Sequence, residues 1–220
     1  MNNYFSPDFL KFFKELAPNN NKDWFDANRQ RYFKSVKEPF EVFINDLIIQ
    51  MQKVDKEIKV GAKDCIHRIN NDIRFSKDKT IYKMHRSASI SSGGKDKKAP
   101  GFYIEFGPEK TSFYGGAYFL ETDELLKLRH HIAKNLKEFQ KLVDDKKFSN
   151  TYGELQGEDA VRVPKEFKTA AEKQPLIMRK QFYWGVDMKP SLVNDKDILK
   201  IAIDHYKNAL PMLRFIRGGI

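Results

Sequence analysis

The chain has 220 residues, 40% of them hydrophobic, with 18 Phe, 40 Lys and Arg against 30 Asp and Glu, and a formal net charge of +10. That supplies one good apolar core, while no run of about 18 apolar residues is present to span a membrane. The single cysteine, Cys65, excludes an internal disulfide and suits a reducing, cytoplasmic compartment.

The start, MNNYFSPDFLKFF, has neither a basic segment nor a long apolar one and does not read as a secretory signal. The positive balance suits an anionic partner. It is uneven: residues 1–60 hold 10 Lys/Arg against 9 Asp/Glu, residues 61–120 hold 11 against 6, and residues 121–220 hold 19 against 15. The middle segment is the most biased for its length.

The first third predicts helices. Ser6-Pro7-Asp8 is a start signal, and Phe9, Phe12, Phe13 and Leu16 share a face. Pro18 to Asn21 stops this helix and caps a second, which carries Trp24, Phe25, Asn28 and Tyr32 on its inner side. A third begins near Pro39, and Phe40, Phe43, Ile44, Leu47, Ile48, Met51 and Val54 follow the 3.6-residue period. Cys65 then starts an apolar strand, as a small buried hydrophobe rather than a nucleophile.

The period next changes to two. Arg68, Asn70, Asp72 and Arg74 alternate with Ile69, Ile73 and Phe75, predicting a strand over 68–75. Ser76 to Thr80 is a polar loop. A second strand over 82–90 has Tyr82, Met84, Ala88 and Ile90 on one side and Lys83, His85, Ser87 and Ser89 on the other. Arg86 falls on the apolar side, which predicts a bulge or twist there. Ser91 to Lys98 is a flexible hairpin tip without the Walker spacing. Strands follow at 102–106 and 112–118, the latter with a Gly115-Gly116 pair. Thr122 caps a long helix with Leu125, Leu128, Ile132, Leu136, Phe139 and Val143 buried. Residues 148–175 are irregular with room for a short helix. A fifth strand covers 182–188, and a last helix starts at Asn194 and is ended or kinked at Pro211.

These elements predict a single α+β domain, residues 1–220, with a helical N-terminal third (6–57), a sheet (65–119), and helices with a last strand (122–217). The sheet is antiparallel, of about five strands, with helices packed mainly on one face, because short polar loops cannot make parallel crossovers.

Paired in sequence order, the strands would bring their polar sides to one surface. Arg68, Asp72 and Arg74 come from the first strand, Lys83 and His85 from the second, Tyr103 and Glu105 from the third. Tyr114 and Tyr118 complete it, with Gly115-Gly116 leaving room for a ligand. Asp72 between two arginines orients them, and a guanidinium fork matches phosphate or carboxylate. Lys77 and Lys79 close over the ligand from the loop. An anionic small molecule is thus the first expected partner. A nucleic acid is the alternative, with the tyrosines stacking on bases, although no RNP pattern is present. Asp72, Glu105 and His85 are the acid–base candidates if the protein is an enzyme. No pair of them has a diagnostic spacing, and H-E-x-x-H and G-x-S-x-G are absent. No cofactor or metal is predicted, and the oligomeric state is open. A structural alternative makes the Arg/Asp group a buried ion-pair network that sets strand register.

The run R-x-x-x-D-I-R-F-S-K-D-K-x-x-Y-K, Arg68 to Lys83, resembles the hallmark of domain-of-unknown-function family 2461. So do N-N-x-K-D-W-F (Asn19 to Phe25) with Tyr32 after it, G-F-Y-I (Gly101 to Ile104), the Gly115-Gly116 pair, L-x-x-L-R-x-x-I (Leu125 to Ile132) and V-P-K-x-F (Val163 to Phe167). Ile81 and Glu166 depart from the family's Pro and Gly. The resemblance implies one α+β domain and points to Arg68, Asp72, Arg74, Lys77, Lys79, Tyr82 and Lys83. It implies no activity.

Overall fold

The computed structural model of the chain describes residues 3–74, 77–95, 99–162 and 164–220. The predicted roles of Phe75 and Ser76, of Asp96 to Lys98 and of Val163 lie outside the described residues. Two compact units are present. The first comprises Met1–Lys95, Tyr103–Phe113 and Asp187–Ile203, and the second Asp96–Phe102, Tyr114–Val186 and Asp204–Ile220.

The first unit opens with α1 (Asp8–Leu16), α2 (Lys22–Ala27), α3 (Arg29–Tyr32), α4 (Glu38–Val54) and α5 (Ala62–Cys65). Asn21 caps α2, its side chain accepting from the Trp24 N–H. A π-helical turn, Phe33–Lys37, joins α3 to α4. Pro39 in the first turn of α4 has no N–H to continue the ordinary ladder, and the Glu38 N–H bonds Phe33 instead. Phe9, Phe12, Phe13 and Leu16 of α1 are buried, as are Phe40, Phe43, Ile44, Leu47, Ile48 and Met51 of α4. The rings meet edge-on: Phe5 and Phe40 lie 5.6 and 5.8 Å from Phe106 between centroids.

The sheet is antiparallel, four strands in the order β1 (Arg86–Ile90), β2 (Gly101–Phe106), β3 (Thr111–Ala117) and β4 (Phe182–Met188). The first of the five expected strands, 68–75, does not form among the described residues, and the second, expected over 82–90, is shortened to Arg86–Ile90. In place of the first are two isolated antiparallel bridges, Ile66 with Ala88 and Asn70 with Tyr82. Between them five residues, 83–87, stand opposite three, 67–69. That excess is the irregularity Arg86 signalled, and it breaks the ladder before a strand can propagate.

The second unit holds α6 (Thr122–Lys134), α7 (Leu136–Val143), α8 (Lys146–Tyr152) and α9 (Lys168–Lys173). The long helix expected from Thr122 is therefore two. Asn135 separates them, its side-chain amide donating to the His131 carbonyl at 2.9 Å. The N-cap of α6 is Glu121, with Glu124 returning the bond to the Glu121 N–H. α10 (Ile198–Arg217) contains Pro211 in its interior and continues past it.

Candidate functional site

The basic stretch is held at its centre by the N-terminal helices. Asn20 Nδ2 donates to the Tyr82 carbonyl at 2.8 Å, and Asn20 Oδ1 accepts from the Tyr82 N–H at 2.9 Å. The other edge of the segment is taken by the Asn71 N–H to Ile81 and the Lys83 N–H to Ile69. Both edges are thus satisfied without a neighbouring strand. The Tyr82 ring stacks on Phe25, 4.0 Å between centroids and 12° from parallel. Tyr82 is 6% exposed, so this predicted ligand contact is a core residue.

Arg68, Asp72 and Arg74 do come together, on a surface loop rather than a strand. Asp72 accepts from Arg74 Nε at 2.9 Å and Nη2 at 2.7 Å, and Arg68 Nη2 lies 3.6 Å away. The Arg74 bonds hold the Asp72 carboxyl well below the usual carboxylate range. The two arginine side chains are 67% and 75% exposed, which excludes the buried network. Lys77 is exposed on the same loop. Lys79 donates to the Ile73 carbonyl at 3.0 Å, bracing the loop.

His85 and Glu105 form a separate, half-buried pair. His85 Nε2 is 3.5 Å from Glu105 Oε2, and the Tyr103 hydroxyl donates to the same oxygen at 2.6 Å. Burial pushes the His85 pKa down, against the pull of Glu105, and Lys83, Arg86 and Lys110 push it the same way. Only the Tyr103–Glu105 contact is a hydrogen bond; His85 faces the carboxylate at ion-pair distance. Cys65 is fully buried and its thiol is pushed up to about 11, chiefly by desolvation, which keeps it unreactive.

Tyr114 belongs to the other unit and covers Gly185, where an added Cβ would fall 2.1 Å from Cδ1 of its ring. The space expected at Gly115-Gly116 is filled by protein. A Cβ at Gly115 would meet Trp184 Nε1 at 2.8 Å, and one at Gly116 the Phe182 carbonyl oxygen at 2.2 Å. These glycines admit the neighbouring strand, not a ligand.

Two arginines carry roles that charge density alone did not single out. Arg129, in the L-x-x-L-R-x-x-I run, is 6% exposed and donates to three carbonyls, Ile177 at 3.0 Å, Met178 at 3.3 Å and Arg179 at 3.2 Å. Arg86 is 4% exposed at the first position of β1, over the Phe40 ring. Its place on the dry side of the alternation was the signal that marked it.

Neither the curated proteins nor the solved structures yield a match to the chain. One family model matches, that of the conserved hypothetical protein family DUF2461, over residues 8–215. The motifs that carry the resemblance meet in space, Asn20 and Phe25 on Tyr82, and the chain belongs to the DUF2461 family.

Proposed function

We propose that this protein binds an anionic small molecule, phosphate- or carboxylate-bearing, on the basic surface around Arg68 and Arg74. One observation carries the reading: the bidentate grip of Arg74 on Asp72, with Arg68 alongside. An exposed ion pair contributes little to stability. It does hold a guanidinium in one orientation on an exposed surface. Lys77 and Lys83 add charge from the neighbouring positions, and Lys79 stiffens the loop that presents them. A reducing, cytoplasmic setting belongs to the same reading, supported by the single buried thiol.

The test is calorimetric titration with a multivalent anion such as citrate or a nucleotide, on the wild type and on Arg68→Ala/Arg74→Ala. Binding lost in the folded double variant supports the reading, and binding unchanged there rejects it. A second reading, nucleic-acid binding, rests on Tyr118 and Phe119, which are 56% and 49% exposed and pack edge to face. Oligonucleotide affinity that does not fall with salt would dismiss it.

A further inference from the structure

Two arginines are almost wholly buried, and their surroundings differ. Arg129 has three carbonyl acceptors. Arg86, 4% exposed, has none for its buried Nε, and among the described residues no carboxylate reaches its guanidinium as an ion-pair partner. Burial pushes its pKa down, opposed by its electrostatic interactions with Tyr32 and Glu41. The Phe40 ring lies 5.5 Å from the guanidinium carbon. A ring face attracts the cation across the guanidinium plane. The N–H donors point within that plane, so stacking does not satisfy the buried Nε. A buried charge without in-plane acceptors is costly, and such costs concentrate where a ligand supplies the missing partner.

Arg86 also lies where the backbone departs from regularity, within the five residues that stand opposite three. Bulges of this kind re-aim side chains beside binding sites. Tyr32 is 5% exposed, and burial raises its phenol pKa, so it stays a protonated donor. Arg86 also acts on His85, where Lys83 and Lys110 add positive potential and Glu105 opposes it. Every one of these residues belongs to the first unit.

We propose that Arg86 is the floor of a second anion site, separate from the exposed arginines, that takes one oxyanion group, carboxylate or phosphate, of a small ligand. The oxyanion accepts in the guanidinium plane, where Arg86 Nε has no protein partner. Phe40 holds the flat face, and Tyr32 is the neutral donor close by. The site is independent of the surface reading above, since it shares no residue with Arg68, Asp72 or Arg74.

The experiment is a thermal unfolding series in sodium phosphate, sodium acetate and sodium chloride at matched ionic strength. It uses the wild type, Arg86→Met, Arg86→Lys and the Arg68→Ala/Arg74→Ala double variant. The wild-type Tm rises saturably in phosphate or in acetate relative to chloride, and whichever anion acts assigns the class. The rise is abolished in Arg86→Met and kept in the double variant. Arg86→Lys retains the charge but not the planar fork, so the half-saturating concentration increases roughly tenfold; this variant decides the matter if Arg86→Met does not fold. No anion-specific rise in the wild type overturns the proposal. So does a rise that survives Arg86→Met, one lost in the double variant, or a half-saturation unchanged in Arg86→Lys.

Discussion

The side-chain amide of Asn20 brackets the backbone of Tyr82, donating to its carbonyl at 2.8 Å and accepting from its N–H at 2.9 Å, across 62 positions of chain. A strand neighbour would make the same pair of bonds. Here one side chain makes them, so the segment ends its ladder without leaving backbone groups unmet. The hallmark run and the N-terminal Asn-Asn motif are thus one structural feature.

Asn20→Ala removes both bonds and leaves the Tyr82 N–H and carbonyl part-buried without them. A loss of about 2 kcal/mol in urea unfolding is expected. Asn20→Asp keeps the acceptor but sets a carboxylate against the Tyr82 carbonyl, and it should be at least as harmful. Equal stability of all three proteins would show that the bracket contributes nothing.

Asp72→Asn separates orientation from stability. The loop is exposed, so the urea midpoint should stay at the wild-type value. Arg74 loses its charge-assisted bidentate partner, and anion affinity on this surface should weaken even though the net positive charge increases. Tighter binding in Asp72→Asn would mean that bulk charge, not arginine orientation, governs the surface.

Arg129→Met replaces three carbonyl contacts with a methyl thioether of similar length. The Ile177, Met178 and Arg179 carbonyls lose their common donor, and about 3 kcal/mol of stability should go with it. Arg129→Lys should recover only part, because an ammonium lacks the fork that spans them. Full recovery by Lys would reduce the clamp to a simple charge.

The glycines divide by what a Cβ would meet. Gly153 has φ +74° and ψ −136° with nothing within 4 Å, so Gly153→Ala should cost only the backbone strain of that glycine region, about 1–3 kcal/mol. Gly116 has φ +114° and a Cβ there would lie 2.2 Å from the Phe182 oxygen. Gly116→Ala should therefore cost several times more or prevent folding. Similar midpoints for the two variants would contradict the close approach of β3 and β4.

Stability should fall on mild acidification. Burial depresses the pKa of both His85 and His205 in the folded protein, against the pull of Glu105 and Asp204 respectively. The unfolded chain takes up those protons first, near the usual value of about 6.5, so stability is full above that pH and declines as pH drops from there to the folded values. The carboxylates Asp8 and Glu15, held low by Arg31, act only in the more acidic range, near about pH 4. His85→Gln should flatten the fall between about pH 7.5 and about pH 5.5, leaving the His205 share. An unchanged slope would locate the effect elsewhere.

Much of the candidate site was legible, though not its form. The trio Arg68, Asp72 and Arg74 was recognisable as an orienting group, because i, i+4 and i, i+2 neighbours on a short segment meet in most conformations. The alternation over 68–75 is real, but among the described residues one bridge, Asn70 with Tyr82, falls within it, so its setting is a loop. Tyr82 and Tyr114 looked like ligand contacts and are packing residues, against Phe25 and over Gly185.

The sequence alone determined which faces are dry. A helix or strand repeats at a fixed interval, so Phe9, Phe12 and Phe13, or Phe102, Ile104 and Phe106, declare their buried side locally. Only the tertiary structure decided which backbone groups find a partner. That choice is a competition between groups distant in the chain: Asn20 takes the place of a strand beside Tyr82, Asn135 divides a helix whose apolar stripe runs on unbroken, and Trp184 and the Phe182 carbonyl fill the space beside Gly115 and Gly116. Arg86 stands between the two cases. Its sequence position marked the irregularity, and the fold alone placed its guanidinium over Phe40 with Nε unmet.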